Sequence, residues 1–275
     1  MASRALVLGG GGVTGVAWEL GVLAGLAEAG VDLTDADVVI GTSAGSVVAA
    51  QLTTGTELEK LYAAQLGNST EIAARIGVPT MLRWAWAAVG RRNAQQVRAR
   101  IGRMALAART APEAQRRAVI EARLPVHEWP RRRLLITAVD AESGEFTAFD
   151  RDSAVDLVDA VGASCAVPGV WPPVTINGRR YIDGGVRSAA NVDLADGCER
   201  VVVLAPMTGG GGPIPTVAKQ VGGLSAKVAV VSPDPQARRA IGRNALDPAR
   251  RAPAARAGRE QAASVASAVA EVWSA

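Results

Sequence analysis

The 275-residue chain is 49% hydrophobic and 20% charged, with a formal net charge of +4, two cysteines and one histidine. That length suits one large domain or two small ones, and with no linker-like composition shift or internal repeat one domain over 1–275 is expected; the composition excludes a disordered chain or a disulfide-stapled scaffold. One histidine and two distant cysteines, Cys165 and Cys198, cannot build a Cys/His zinc site, and a Ser-His-Asp hydrolase would have to use His127 or do without it.

In chain order, residues 4–8 (RALVL) predict a short buried strand that runs straight into Gly9–Gly12. Helical periodicity follows over 16–29, with Gly30 as a C-cap. Asp37–Ile40 predicts the second strand, then Gly41-Thr42-Ser43-Ala44-Gly45 and an apolar helix over Ser46–Leu52. Strand, Gly-rich turn and helix, twice over, point to a parallel α/β sheet.

Residues 57–123 read as mainly helical, with breaks near Gly67–Asn68 and Gly77-Val78-Pro79. Arg133–Asp140 predicts a third strand, with Glu145–Phe149 able to pair with it after a turn, and Asp156–Ser164 predicts a helix. Val174–Ile176 and Arg180–Ile182 flank Asn177-Gly178, the preferred two-residue hairpin turn. Arg200–Leu204 and Lys227–Val231 predict two more strands around a Gly run at 209–212 expected to be a mobile loop, and 258–273 a closing helix.

The opening apolar stretch is too short for a signal-peptide core, and the two 19-residue charge-free runs, Val38–Thr56 and Ala160–Gly178, are too polar or too rich in proline to span a membrane. The expectation is a cytoplasmic protein. Charge is uneven: 81–133 carries 13 Arg against 3 Glu. Such a bias either marks a phosphate-binding surface or is the solvated face of surface helices. Trp84 and Trp86 sit beside Arg91 and Arg92 in this stretch, a pairing that suits peripheral contact with a membrane and competes with simple core packing of the tryptophans.

The Gly-rich loop after the first strand is built to bind an anion, since unpaired N–H groups and a helix dipole converge there. A P-loop would need Lys then Ser/Thr, where the chain has Val13-Thr14-Gly15. Gly10, Gly12 and Gly15 match G-x-G-x-x-G, yet the acidic residue a dinucleotide fold needs at the end of the second strand is absent. An oxyanion hole and a plain tight turn remain as readings. Gly41-Thr42-Ser43-Ala44-Gly45 is G-x-S-x-G between strand and helix, the setting of a nucleophile elbow, in which flanking Gly41 and Gly45 relieve clashes around a strained serine. Its base cannot readily be His127, which precedes the third strand and so lies at the wrong edge of the sheet. Asp183 in Tyr181-Ile182-Asp183-Gly184-Gly185 ends a strand and is followed by glycines that permit close approach.

Three motifs therefore stand in order: Gly10-Gly11-Gly12-Val13-Thr14-Gly15, Gly41-Thr42-Ser43-Ala44-Gly45 and Asp183-Gly184-Gly185, with Ala163-Ser164-Cys165-Ala166-Val167-Pro168 leading toward the last. Over roughly 4–205 this set resembles the patatin-like phospholipase family. The resemblance implies a three-layer α/β/α fold with a mainly parallel central sheet, and a Ser-Asp dyad without metal, cofactor or histidine. It implies Ser43 as nucleophile, Asp183 as base, and an oxyanion hole from the N–H groups around Gly10, Gly11 and Gly12. The reaction implied is hydrolysis of lipid acyl esters through an acyl-serine, of the phospholipase A, lysophospholipase or carboxylesterase type. Acyl transfer on the same scaffold and a catalytically silent lipid-binding protein are the alternatives. The partner expected is a lipid or acyl ester, not nucleic acid. One departure stands out: the family often has a basic residue where this chain has Thr14.

Overall fold

Alternate residues of each central strand bury their side chains on opposite faces of one sheet, and both faces are covered by helices. The computed structural model describes residues 3–67, 73–90, 93–210 and 213–274. In chain order they form β1 (Arg4–Leu8), α1 (Gly12–Glu28), β2 (Val38–Gly41), α2 (Ala44–Thr53), α3 (Leu58–Leu66), α4 (Val78–Ala88), α5 (Ala94–Leu106) and α6 (Glu113–Arg123). Then come β3 (Arg133–Asp140), β4 (Phe146–Phe149), α7 (Leu157–Ser164), β5 (Val174–Ile176) and β6 (Arg179–Asp183). The chain closes with β7 (Arg200–Leu204), α8 (Val217–Val221), β8 (Lys227–Val231), α9 (Pro235–Ile241) and α10 (Arg251–Trp273).

The sheet runs β5-β6-β3-β2-β1-β7-β8, with β4 also paired to β3. The five strands from β3 to β8 are mutually parallel, and β4, β5 and β6 add antiparallel pairings at one side. This is the mainly parallel, three-layer α/β/α architecture expected from the sequence. Period-2 alternation explains the layers. Leu6, Leu8, Val39 and Leu134 pack in the core beneath α1, α2 and α10. Ala5, Val7, Ile40 and Leu135 face the other way, with Val192, Ala195 and Val217. Farther along that second face, Val139 and Ile182 meet Ala87, Val97 and Ile101 from α4 and α5.

The first helix begins at Gly12, not at residue 16. Glycine and threonine are weak helix formers, but residues 12–15 pack directly against Ala44, Pro206 and Leu246, and tertiary contact overrides propensity. α2 and α10 likewise start earlier than expected, at Ala44 and Arg251. α10 lies along α1: a Cβ on Gly21 would sit 2.1 Å from the Ala255 carbonyl oxygen, and Trp18 Nε1 donates to Gln261 Oε1 at 3.0 Å. The short helices α8 and α9 carry too few residues for periodicity to reveal them. The Asn177-Gly178 hairpin has φ of 49° and 77°, as its turn type requires. Of the glycine run, Gly211 and Gly212 lie outside the described residues, as does Asn68. Among the described residues no helix is long and apolar enough to cross a membrane.

Candidate active site

β1 and β2 are neighbours and parallel, so their C-terminal ends deliver the Gly-rich loop and the G-x-S-x-G turn to the same edge of the sheet. Ser43 stands between β2 and α2 with φ 52° and ψ −114°, a conformation a side chain other than glycine's rarely adopts. The surroundings force it there. A Cβ on Gly45 would lie 2.1 Å from the Leu8 carbonyl oxygen, so only glycine lets α2 start this close to β1. Gly45 N–H donates to Gly9 O at 2.9 Å. Ser43 N–H donates to Ser164 Oγ at 2.9 Å, and the Ser43 carbonyl accepts from Ser46 Oγ at 2.6 Å and Cys165 Sγ at 3.2 Å. The segment before the aspartate motif thus holds the elbow in place, and burial pushes the Cys165 thiol up.

Asp183 reaches the same point from β6. Its backbone N–H donates to Ala166 O at 3.1 Å, and its Oδ1 accepts from Gly185 N–H at 2.7 Å. The Ser43 side chain stands close enough to pull the Asp183 carboxyl down. Both residues are buried, at 8% and 5% exposure. Burial pushes the Asp183 carboxyl up to about 6, against the opposing pull of Ser43 and of its bond to Gly185. A carboxyl near 6 beside a strained serine has the basicity for proton transfer near neutral pH.

The three loop glycines are not equivalent. Gly10 N–H is committed to Ala189 O at 2.7 Å, which removes it as a donor to an oxyanion. Gly11 caps α1 and Gly12, at φ 61°, begins it. Among the described residues no backbone carbonyl or side chain accepts from the N–H of Gly11 or Gly12, as the first turn of a helix allows. Thr14 is fully buried, and its hydroxyl and N–H both donate to Ala245 O, at 3.2 and 3.1 Å. It ties the 244–246 loop over the site instead of presenting a charge.

His127 precedes β3, its Nε2 lies 3.2 Å from Glu121 O, and it is not among the residues that line the two spaces beside Ser43 and Asp183. Asn191, in the left-handed region at φ 51°, is a site residue no motif announces. Its Nδ2 donates to Thr42 Oγ1 at 3.0 Å and Gly184 O at 3.3 Å, stapling the elbow to the aspartate turn. Asparagine tolerates that backbone better than most residues, which is the only hint the sequence carries.

Two spaces open on this pair. An apolar cavity of about 600 Å³ is lined by Gly11, Gly12 and Asp183 together with Trp84, Ile101, Met207 and Ile214. A narrow cleft on the Ser43 side is lined by Gly12, Cys165, Trp171, Arg116 and Arg123. Val167 and Leu246 border both spaces. Trp84 therefore faces the cavity, while Trp86 is 58% exposed with the Arg100 guanidinium 3.3 Å over its ring. Arg91 and Arg92 lie outside the described residues. Among the described residues no group of three or more His, Cys, Asp or Glu side chains is placed to hold a metal ion.

Residues 6–196 match the family model described as patatin-like phospholipase. Among solved structures, VipD from Legionella pneumophila superposes with a TM-score of 0.50 at 13% identity, over 98% of this chain and 67% of that one. The type III effector protein ExoU gives 0.45 at 16% identity, over 98% of this chain and 53% of that one. At 13% identity the likeness to VipD is one of fold, and the chain spans about two thirds of VipD and about half of ExoU. No curated protein sequence matches the chain.

Proposed function

The chain belongs to the patatin-like phospholipase family, and from that premise we propose that it is a metal-independent serine hydrolase of lipid carboxylic esters, of the phospholipase A, lysophospholipase or carboxylesterase type. The observation that carries this reading is the strained Ser43 beside the buried Asp183, whose carboxyl lines an apolar cavity together with Gly11 and Gly12.

The chemistry follows from these groups. Ionised Asp183 takes the Ser43 proton as Oγ attacks the ester carbonyl. The new carbon–oxygen bond leaves a tetrahedral oxyanion, which accepts from Gly11 and Gly12 N–H. The N-terminus of α2 adds the favourable end of a helix dipole. The carbon–alkoxide bond then breaks, and the departing alcohol takes the proton from Asp183. Water, deprotonated by the same carboxylate, attacks the acyl-serine; as this second intermediate collapses, the bond to Ser43 Oγ breaks, Asp183 returns the proton to Oγ, and the fatty acid leaves. The apolar cavity is large enough for an acyl chain and is lined mainly by hydrophobic side chains.

The exposed face of α4 supports contact with a lipid surface. Leu82 is 65% and Trp86 58% exposed, Val78, Met81 and Val89 join them, and Arg83, Arg100 and Arg103 lie on α4 and its neighbour α5. The same helix contributes Trp84 and Ala85 to the cavity wall, so a lipid entering from that face is delivered toward Ser43.

The test is hydrolysis of a panel of phospholipids, lysophospholipids and neutral acylglycerols, by wild type and Ser43→Ala, with and without EDTA. Fatty-acid release by wild type that survives EDTA and is at least about a thousandfold lower in Ser43→Ala is expected. Comparable release by the variant would sink the reading.

A further inference from the structure

α1 carries a buried acid that the Ser43–Asp183 pair does not use. Gly12, Gly15 and Glu19 stand at i, i+3 and i+7 and share one helix face. Gly15 on that face packs on Ala44 and Pro206, and a Cβ on Gly11 would lie 2.8 Å from its Cα. Glu19 continues the face one turn deeper, beneath the Gly-rich loop. It is fully buried, and among the described residues neither of its carboxyl oxygens has a hydrogen-bond partner. The polar group that reaches it is the backbone of Gly9, where the loop leaves β1.

Nothing around Glu19 supports a negative charge. A buried carboxylate needs several donors or a cation. The nearby backbone donors are engaged: Gly9 N–H with Leu204 O at 2.9 Å, Gly10 N–H with Ala189 O at 2.7 Å, and Gly15 N–H with Gly11 O at 2.8 Å. Of the elements packed on α1, α2 carries no charge. Arg259 of α10 pairs with Glu28 and Glu59, Arg251 bonds Gln65, and Asp234 and Asp247 accept from backbone N–H groups. The other charged side chains of α3, α9 and α10 are exposed, and Arg4 and Arg200 stand at the far ends of β1 and β7. Burial therefore pushes the Glu19 carboxyl well above the usual carboxylate range, against a downward pull from Gly9. An ionised Glu19 would set a negative charge two residues from Gly11, where N–H groups and the α1 dipole must favour a developing oxyanion.

We propose that Glu19 is a positioning residue: as a neutral acid against the Gly9 backbone it holds the Gly-rich loop so that Gly11 and Gly12 N–H face the reacting carbonyl, and its ionisation at alkaline pH ends that support. Glu19 can play this part only if Gly11 and Gly12 serve as the oxyanion hole, so it rests on the hydrolase reading. Asp183 and Glu19 then divide the work of two buried carboxyls by environment: the first must be ionised and the second must not. Activity is confined to the pH range between them. Its alkaline limit belongs to a residue that never touches the ester.

The test follows butyric acid release from dissolved tributyrin at constant pH, from pH 6 to pH 10, in wild type, Glu19→Gln and Glu19→Met. Wild-type kcat should fall on the alkaline side, and Glu19→Gln should stay level there, because an amide keeps the shape and the polar contact but cannot ionise. Glu19→Met should lower kcat by about tenfold or more with KM within about twofold, and Glu19→Gln should recover most of that loss. Both variants should match or exceed the wild-type Tm at pH 8, since neither has an acid to keep protonated, so lost activity is not lost fold. Coincident alkaline limbs in wild type and Glu19→Gln, or no limb in an active wild type, overturn the positioning role alone. A wild type without hydrolysis sinks the hydrolase reading and this role together. The infrared difference between wild type and Glu19→Gln at pH 8 should show the carbonyl stretch of a protonated carboxyl. Its absence overturns the proposal whatever Ser43 does.

Discussion

Asp183 meets two opposing demands. Burial raises its carboxyl to about 6 from an ordinary 3.8. A carboxyl raised by folding favours the folded state while protonated. That advantage is complete below pH 4 and is lost as the pH climbs through about 6. At neutral pH the ionised carboxylate is therefore a destabilising group, by up to about 3 kcal/mol for a shift of this size. Asp183→Asn should be more stable than wild type at pH 7.5 by an amount of that order and show little gain at pH 4, as urea denaturation at the two pH values would read. An equal difference at both would mean the carboxyl is not raised. In wild type, kcat/KM should fall tenfold per pH unit below about 6. Ser43 and Asp183 stand out in the sequence because each sits in a short motif, and the fold brings the two motifs together. Asn191 does not, since its neighbours in space come from distant segments. The Gly10 N–H was misjudged for a related reason: its acceptor, Ala189, is 179 residues away in sequence.

At the scale of elements, the central strands were readable almost residue for residue. Their β-branched and leucine runs are short, continuous and bounded by glycine or turn residues. Helix starts were not, because glycine-rich first turns look like loops until their packing is seen. α4 shows a different limit. Its apolar residues read as helix, but sequence cannot say which face a partner covers. In the folded chain Leu82 and Trp86 are left to solvent beside Arg83 and Arg100. If this face docks on lipid, Leu82→Ser/Trp86→Ala should lower flotation with anionic phosphatidylglycerol vesicles by about tenfold or more, from the apolar surface lost. Undiminished flotation would assign the contact elsewhere. Trp86 is preferable to Trp84 for this purpose, because Trp84 also lines the cavity.

Across the whole molecule, the site is assembled by topology. The β1–β2 edge contributes the loop and the elbow, and the antiparallel β6 returns across β3 to bring Asp183 beside them. Segments after Ala205, where no motif was recognisable, supply Met207, Ile214 and Leu246 to the walls. They carry packing, not chemistry, and packing leaves little trace in a single sequence. His127, held against Glu121 O, lines neither space. The central claim is that Asp183 activates Ser43, and covalent labelling tests it without any choice of lipid. Incubation with a fluorophosphonate, followed by intact mass and peptide mapping, should show one adduct per chain on Ser43. It should form with a pH dependence rising through about 6 and at least about a hundredfold more slowly in Asp183→Asn. Modification of another residue, or an undiminished rate in Asp183→Asn, would contradict the account.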